Sequence, residues 1–91
     1  MDTSIAFKVT GRVQGVGFRA FVRQTASQFG LSGWVKNNAD GSVSGIAEGD
    51  HGMLKGFLEQ VKIGNRWSSV EGLLEQAQKY RGDFKSFEIR Y

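Results

Sequence analysis

Residues 11–19 read Gly-Arg-Val-Gln-Gly-Val-Gly-Phe-Arg, and the hydrophobic period of the chain changes across them. Residues 5–13 alternate apolar and polar side chains, which is typical of a half-buried strand. From Phe18 to Phe29, apolar residues recur three and four positions apart, which predicts one face of an amphipathic helix. Gly30 follows as a residue suited to ending that helix. The stretch therefore predicts a loop that joins a strand to a helix.

The middle of the chain predicts a β-hairpin followed by a second helix. Residues 31–37 and 42–48 read as two strands, and the Asn38-Ala39-Asp40-Gly41 segment between them carries a hairpin turn signal. Gly49-Asp50 then supplies a break and a helix N-cap. The apolar face of the helix that follows is formed by Leu54, Phe57, Leu58 and Val61, and Gly64 closes it.

The last third of the chain holds two more extended segments, residues 69–76 and 85–91. The predicted order is strand, helix, strand, strand, helix, strand. This order predicts an α+β fold of the ferredoxin-like βαββαβ type, with two helices on one face of a four-stranded antiparallel sheet. The last third also has room for a short fifth strand. The length of 91 residues limits the chain to a single domain, 1–91.

The composition excludes several kinds of site. The chain has no cysteine and one histidine, His51, which excludes disulfides, thiolate chemistry and Cys-rich or His-rich metal sites. Apolar residues make up 40% of the chain and charged residues 23%, as in folded globular proteins. No apolar run approaches the length of a membrane span, and the N-terminus has no signal-peptide pattern. We therefore expect a cytoplasmic protein that does not bind membranes.

The charge favours a small anionic partner over nucleic acid. Twelve Lys and Arg residues against nine Asp and Glu give a net charge of +3. The basic residues are spread along the chain without a run of five or more, whereas nucleic-acid binding would be expected to need a cluster.

The glycines of the first stretch indicate an anion site. Gly15 and Gly17 allow the backbone to curl so that successive N–H groups point inward, and the following helix adds unpaired N–H groups and a positive dipole end. Arg19 lies in the first helical turn, where an acidic residue would be more favourable, and it fits if a phosphate lies between it and the loop. A simple tight turn and a dinucleotide-binding motif stay open as alternatives, although the latter needs a parallel βαβ unit. No lysine follows the glycines, which excludes a P-loop.

Two asparagines stand at the end of the first hairpin strand. Asn37 and Asn38 fit a turn, because asparagine tolerates left-handed dihedrals and bonds its own backbone. A neutral amide close to a phosphate would also hold a water molecule, since it donates and accepts at once. The residues alone leave both interpretations open.

Together these motifs resemble the acylphosphatase family. The likeness comprises residues 13–19, then Gly33-Trp34-Val35-Lys36-Asn37 with Asp40-Gly41-Ser42-Val43, and a closing Phe87-Glu88-Ile89-Arg90-Tyr91, and it covers essentially the whole chain. The family consists of small ferredoxin-like enzymes, acylphosphate phosphohydrolases, that hydrolyse the mixed anhydride of a carboxylic acid and phosphate. They need no metal and no cofactor. Residues 50–52 and 64–67 depart from the proline-containing segments common in the family.

The resemblance implies the site residues and partners. Arg19 resembles the family's phosphate-binding arginine, and Asn37 resembles its water-positioning residue; these two are the catalytic candidates. The backbone cradle for phosphate is implied for Gln14, Gly15, Val16, Gly17 and Phe18. The implied substrate is a small-molecule acyl phosphate, with inorganic phosphate as product and inhibitor, and we expect a monomer. Neither motif contains a general base, so the substrate's own phosphate oxygen is implied to take the proton of water.

Two other classes of function stay open. The same fold carries RNA-binding and regulatory modules, and a similar non-catalytic module opens the large hydrogenase-maturation carbamoyltransferase. RNA binding would require surface aromatics on the sheet. We expect Phe7, Phe87 and Tyr91 in the core, and packing roles for Trp34 and Trp67. The end of the chain at residue 91 favours the free-standing enzyme.

The second helix contains two glycines that predict modest stability. Gly52 and Gly56 each cost about 1 kcal/mol relative to alanine in a helix interior. We therefore predict that Gly56→Ala raises the melting temperature, Tm. His51 is predicted to be an exposed residue at the start of this helix.

Overall fold

The computed structural model describes residues 1–91. Its elements follow in the predicted order, with two strands after the second helix. Their bounds are β1 Asp2–Arg12, α1 Phe18–Gln28, β2 Ser32–Asn37, β3 Val43–Asp50, α2 His51–Ile63, β4 Ser69–Gln78 and β5 Phe87–Arg90. Neither helix is long and apolar enough to cross a membrane.

The five strands form one sheet in the order β4-β1-β3-β2-β5. All neighbours are antiparallel except β2 and β5, which are parallel, so the sheet is mixed rather than purely antiparallel. The chain reverses direction between β4 and β5, as it would in a hairpin. However, β5 joins the opposite edge of the sheet, next to β2, which already runs in that direction. The ferredoxin-like class is confirmed, and the fifth strand is real.

The core lies between one face of the sheet and both helices. Phe7 and Val9 of β1 face the helices and stand opposite Gly45 and Val43 of β3. The Phe57 ring of α2 packs edge-on against the Phe7 ring, with 5.6 Å between centroids. The predicted apolar faces are confirmed: α1 buries Phe18, Val22, Thr25 and Ala26, and α2 buries Leu54, Phe57, Leu58 and Val61.

The predicted ends of α2 are confirmed. The Asp50 carboxylate accepts a hydrogen bond from the Met53 N–H at 3.2 Å, which is the geometry of an N-cap. Gly64 follows the last helical residue, and its N–H donates to the Gln60 carbonyl at 3.0 Å. His51 is exposed at the first position of the helix.

A buried carboxylate holds the segment that brings the chain from β4 to β5. The Glu48 side chain is only 2% exposed, and its two oxygens accept hydrogen bonds from the backbone N–H groups of Arg81 and Gly82, both at 3.0 Å. Two backbone donors satisfy a charge that would otherwise be costly to bury. This contact fixes Arg81 and Gly82 in the segment 79–86, which leads from β4 at one edge of the sheet to β5 at the other.

Two aromatic residues were expected to be packed and are not. Tyr91 is 99% exposed, although Phe87, in alternation with it, is buried. The reason is that β5 ends at Arg90, so Tyr91 lies beyond the last strand pairing. Trp67 is also exposed, with the Arg66 guanidinium over its ring at 4.9 Å.

Gly56 lies in the interior of α2, as predicted, but its surroundings argue against the predicted gain in Tm. A Cβ atom at this position would lie 2.5 Å from Cε1 and 3.1 Å from Cζ of the Phe29 ring, which comes from the end of α1. Contacts this short require the ring to move. Gly56 is therefore a point of close helix–helix approach, and an added methyl group is not a simple gain in helix propensity.

Candidate active site

The loop between β1 and α1 leaves its backbone donors unused. Gly15 and Gly17 have φ angles of 72° and 73°, a left-handed conformation that favours glycine. The N–H groups of residues 14–17 donate to no other group of the protein. Gly17 is also the N-cap residue of α1, so the loop runs directly into the positive end of the helix dipole. The loop thus provides a set of free donors that suits an anion.

Arg19 adds a formal positive charge at the same place. No carboxylate lies within ion-pair distance of its guanidinium. The three ion pairs of the protein all involve other residues. Its guanidinium lies over the Tyr91 ring, 4.7 Å from the centroid, and Nη1 donates a long hydrogen bond, 3.4 Å, to the Arg90 carbonyl. These contacts orient the guanidinium without neutralising it, which leaves its charge available to an anion.

A pocket of about 210 Å³ joins these groups to the hairpin. It brings Arg19 and the two loop glycines together with Asn37, which is far from them in the sequence. Its lining consists of Val13, Gly15, Gly17, Phe18, Arg19, Ala20, Asn37, Ile89 and Tyr91. A larger groove of about 450 Å³ lies on the opposite face of the sheet, around Trp34, and contains neither the loop nor Arg19.

The neighbouring residues Asn37 and Asn38 differ in the contacts of their side chains. Asn37, the last residue of β2, is exposed in the pocket, and its side chain forms no hydrogen bond within the protein. The Asn38 amide instead donates to the hydroxyls of Ser42 at 2.9 Å and Ser44 at 3.0 Å. Asn38 therefore holds the hairpin turn, whereas the Asn37 amide is free to contact a ligand or a water molecule.

The other predicted phosphate-binding residues take different positions. The Gln14 side chain does not line the pocket; its Nε2 donates to the carbonyls of Asn38 at 2.8 Å and Ser42 at 2.9 Å. Val16 does not line the pocket either, and its carbonyl accepts a hydrogen bond from Asn65 Nδ2 at 2.9 Å. Phe18 is buried at the base of α1 and lines the pocket.

Comparison with known proteins shows to which family the chain belongs. The family model described as Acylphosphatase matches residues 5–89. The chain belongs to the acylphosphatase family. An acylphosphatase from Caldanaerobacter subterraneus subsp. tengcongensis is 39% identical over 98% of this chain and 99% of that protein. One from Syntrophotalea carbinolica is 44% identical over 96% of this chain and 95% of that protein.

A solved structure supports the same assignment. The crystal structure of acylphosphatase from Bacillus subtilis matches this chain with a TM-score of 0.94 and 41% sequence identity, and it covers 100% of both chains. The resemblance found in the sequence is therefore confirmed, and so is the class of enzyme: the chain is an acylphosphatase, a hydrolase of acyl phosphates.

Sequence reasoning missed two residues that contact the candidate site. The alternation of Tyr91 with Phe87 predicts a core position, yet the Tyr91 ring lies under the Arg19 guanidinium. Asn65 belongs to the segment that departs from the family pattern, and no role was predicted for it. The only signal in the sequence was the departure itself, since nothing local reveals that residue 65 lies beside the glycine loop.

Proposed function

We propose that the pocket binds the phosphate group of an acyl phosphate, with the N–H groups of residues 14–18 and the Arg19 guanidinium around its oxygens. Asn37 orients the water molecule that attacks. One observation carries this proposal: free backbone donors, an arginine without an ion pair and an amide without a hydrogen bond share one pocket. The positive helix end and Arg19 together complement a doubly charged phosphate.

The proposed reaction is an in-line displacement at phosphorus. The water oxygen forms a bond to phosphorus while the bond from phosphorus to the acyl oxygen breaks, and the carboxylate leaves with the electron pair. No histidine, aspartate or glutamate lines the pocket. The water proton therefore passes to a phosphate oxygen of the substrate, and the products are the carboxylate and inorganic phosphate. Because the carboxylate is a good leaving group, orienting the water and neutralising charge are enough.

Release of phosphate from benzoyl phosphate tests the role of Arg19. An arginine that stabilises phosphoryl transfer contributes roughly 10³–10⁵ in rate, so Arg19→Ala should abolish measurable hydrolysis. Arg19→Lys should be nearly as severe, because lysine lacks the planar fork. Arg23→Ala is the matched control, since Arg23 is exposed on the same helix outside the pocket and should keep wild-type rates. Activity of folded Arg19→Ala above a tenth of wild type would contradict the assignment.

Inhibition by phosphate and by EDTA distinguishes the proposed mechanism from a metal-dependent one. Inorganic phosphate should compete with substrate, because it occupies the same donors. EDTA should have no effect, since the proposed mechanism uses only groups of the protein and the substrate. A requirement for added metal, or non-competitive inhibition by phosphate, would contradict the proposal.

The proposal also covers the location of the enzyme, its oligomeric state and its partners. We infer a cytoplasmic monomer that acts on small acyl phosphates and binds no nucleic acid. The burial of Phe7 and Phe87 supports the last point, because buried rings cannot stack on bases. Sedimentation of the purified chain tests the monomer, and a gel-shift assay with single-stranded RNA tests the absence of nucleic-acid binding.

A further inference from the structure

Asn65 lies in the connection between α2 and β4 and reaches across to the glycine loop. Its half-buried amide donates from Nδ2 to the Val16 carbonyl at 2.9 Å, 49 positions away in the sequence. A Cβ placed on Gly17 would lie 3.9 Å from the same Nδ2, so the amide stands beside this residue as well. The Val16–Gly17 peptide is thus the part of the loop that Asn65 contacts.

The contact fixes which way this peptide faces. A trans peptide points its C=O and its N–H in opposite directions, and the chain contains no cis peptide. The Val16 carbonyl is turned toward Asn65, so the Gly17 N–H points away from Asn65. Gly17 lines the pocket, and its N–H has no acceptor in the protein. We propose that Asn65 is a positioning residue that holds the Gly17 N–H toward the bound phosphate; this inference rests on the proposed function.

The loop has no means of its own to hold this orientation. Reversing the peptide changes φ of Gly17 by a large angle, and glycine accepts both signs of φ with little cost. Reversal would turn the Val16 carbonyl oxygen toward the pocket, where it would repel a phosphate oxygen. A donor from outside the loop is therefore needed to keep the N–H inward, and Asn65 is the side chain that bonds this carbonyl.

Hydrogen bonds within a closed turn hold the Asn65 backbone in place, and one atom of its side chain has no hydrogen-bond partner. Its N–H donates to Ser68 Oγ at 2.9 Å, and its carbonyl accepts from the Ser68 hydroxyl at 3.1 Å, so a closed turn presents the side chain. The Val16 oxygen can only accept, which requires the NH₂ end of the amide to face it. Oδ1 is then left buried without a hydrogen-bond partner. The orientation of the amide is therefore set by its bond to Val16 and not by a partner for its own oxygen.

Two variants separate positioning from stability. Asn65→Ala removes the donor, and Asn65→Leu removes the donor and the unpaired oxygen while keeping a similar volume. Both should raise the inhibition constant of phosphate and lower kcat/KM by about tenfold, the effect expected for losing one hydrogen bond to a charged group. The leucine variant should lose less resistance to urea than the alanine variant, because it keeps the volume and removes the unpaired oxygen. Trp67→Ala is the matched control, because Trp67 is exposed in the same connection and outside the pocket.

The amide resonance of Gly17 reports directly whether its N–H contacts the bound phosphate. In a phosphate titration followed by ¹H–¹⁵N NMR, this resonance should shift strongly in the wild type and in Trp67→Ala, and weakly in both Asn65 variants. Wild-type phosphate inhibition and an unchanged Gly17 shift in the Asn65 variants would overturn this inference while the proposed function stands. A wild-type protein that neither hydrolyses benzoyl phosphate nor binds phosphate would overturn the proposed function, and with it this inference.

Discussion

Gln14 Nε2 donates one hydrogen bond to the Asn38 carbonyl at 2.8 Å and another to the Ser42 carbonyl at 2.9 Å. Gln14 belongs to the glycine loop, and the two carbonyls flank the turn that follows Asn37. A single side chain therefore ties the loop that presents N–H donors to the hairpin that presents the free Asn37 amide. The two halves of the proposed site keep a fixed separation because of this contact.

Gln14→Leu should weaken both folding and catalysis. The change removes two hydrogen bonds to turn carbonyls that still accept from the N–H groups of Asn38 and Gly41, so the free energy of unfolding should fall by about 0.5–1.5 kcal/mol for each bond lost. It should also reduce kcat/KM for benzoyl phosphate, because Asn37 is no longer held in register with the loop. Urea unfolding and steady-state kinetics measure the two effects, with Gln24→Leu on the exposed face of α1 as control. Loss of stability with unchanged kinetics would limit Gln14 to a structural role.

Replacing each of the neighbouring asparagines should give opposite results. Asn37→Ala should lower kcat by roughly 10²–10³, the usual effect of losing one preorganised polar group, with little change in stability. Asn38→Ala should mainly lower stability, since its amide bonds Ser42 and Ser44 within the hairpin. Kinetics and urea unfolding of both variants test this. Weaker phosphate binding with unchanged turnover in Asn37→Ala would instead assign Asn37 to substrate binding.

Gly56→Ala should lower Tm rather than raise it. The added Cβ would lie 2.5 Å from the Phe29 ring, and overpacking of this kind costs about 1–3 kcal/mol, which offsets the gain in helix propensity of about 1 kcal/mol. If contact with the Phe29 ring causes the fall in Tm, Gly56→Ala should lower Tm by less in a Phe29→Leu background. Calorimetry of the two single variants and the double variant measures this coupling. Additive effects would contradict the explanation.

Gly52→Ala is the matched variant in the same helix. Its Cβ would lie 3.2 Å from Asp50 Oδ2, the end of an exposed side chain that can move by a few tenths of an ångström. Calorimetry should therefore show an unchanged or higher Tm, in contrast to Gly56→Ala. A fall in Tm as large as that of Gly56→Ala would mean that glycine is needed at both positions.

Asp40 makes the stability of the hairpin depend on pH. The Ser42 hydroxyl and N–H donate to its carboxylate, and Lys8 pairs with it at 3.1 Å; together they hold its pKa well below the ordinary value. A lowered pKa in the folded state stabilises the protein above the ordinary pKa of 3.8, and this stabilisation is lost as pH falls through the folded-state pKa. Asp40→Asn should therefore be less stable than wild type at pH 7, and the difference should shrink in strong acid. An equal difference in urea unfolding at both pH values would refute this.

The local pattern predicted most of the elements and the two halves of the site. Period-two and helical spacing gave β1, α1, the hairpin and α2, because each element must turn its apolar side chains toward one core. The glycines and Arg19 pointed to an anion site for a similar reason, since backbone curl and helix dipole are properties of neighbouring residues. The exposure of Tyr91 escaped prediction because alternation does not reveal where a strand stops pairing.

The groups of the proposed phosphate site can be identified from the sequence alone: a glycine loop, an arginine at a helix start and an amide at a strand end. How these groups are held depends on contacts that form only in the folded chain. The Gln14 bond to the hairpin, the Asn65 bond to Val16 and the approach of Gly56 to Phe29 each join residues far apart in the chain. Such contacts depend on how the elements pack, and packing is set by the whole core rather than by the residues near each contact.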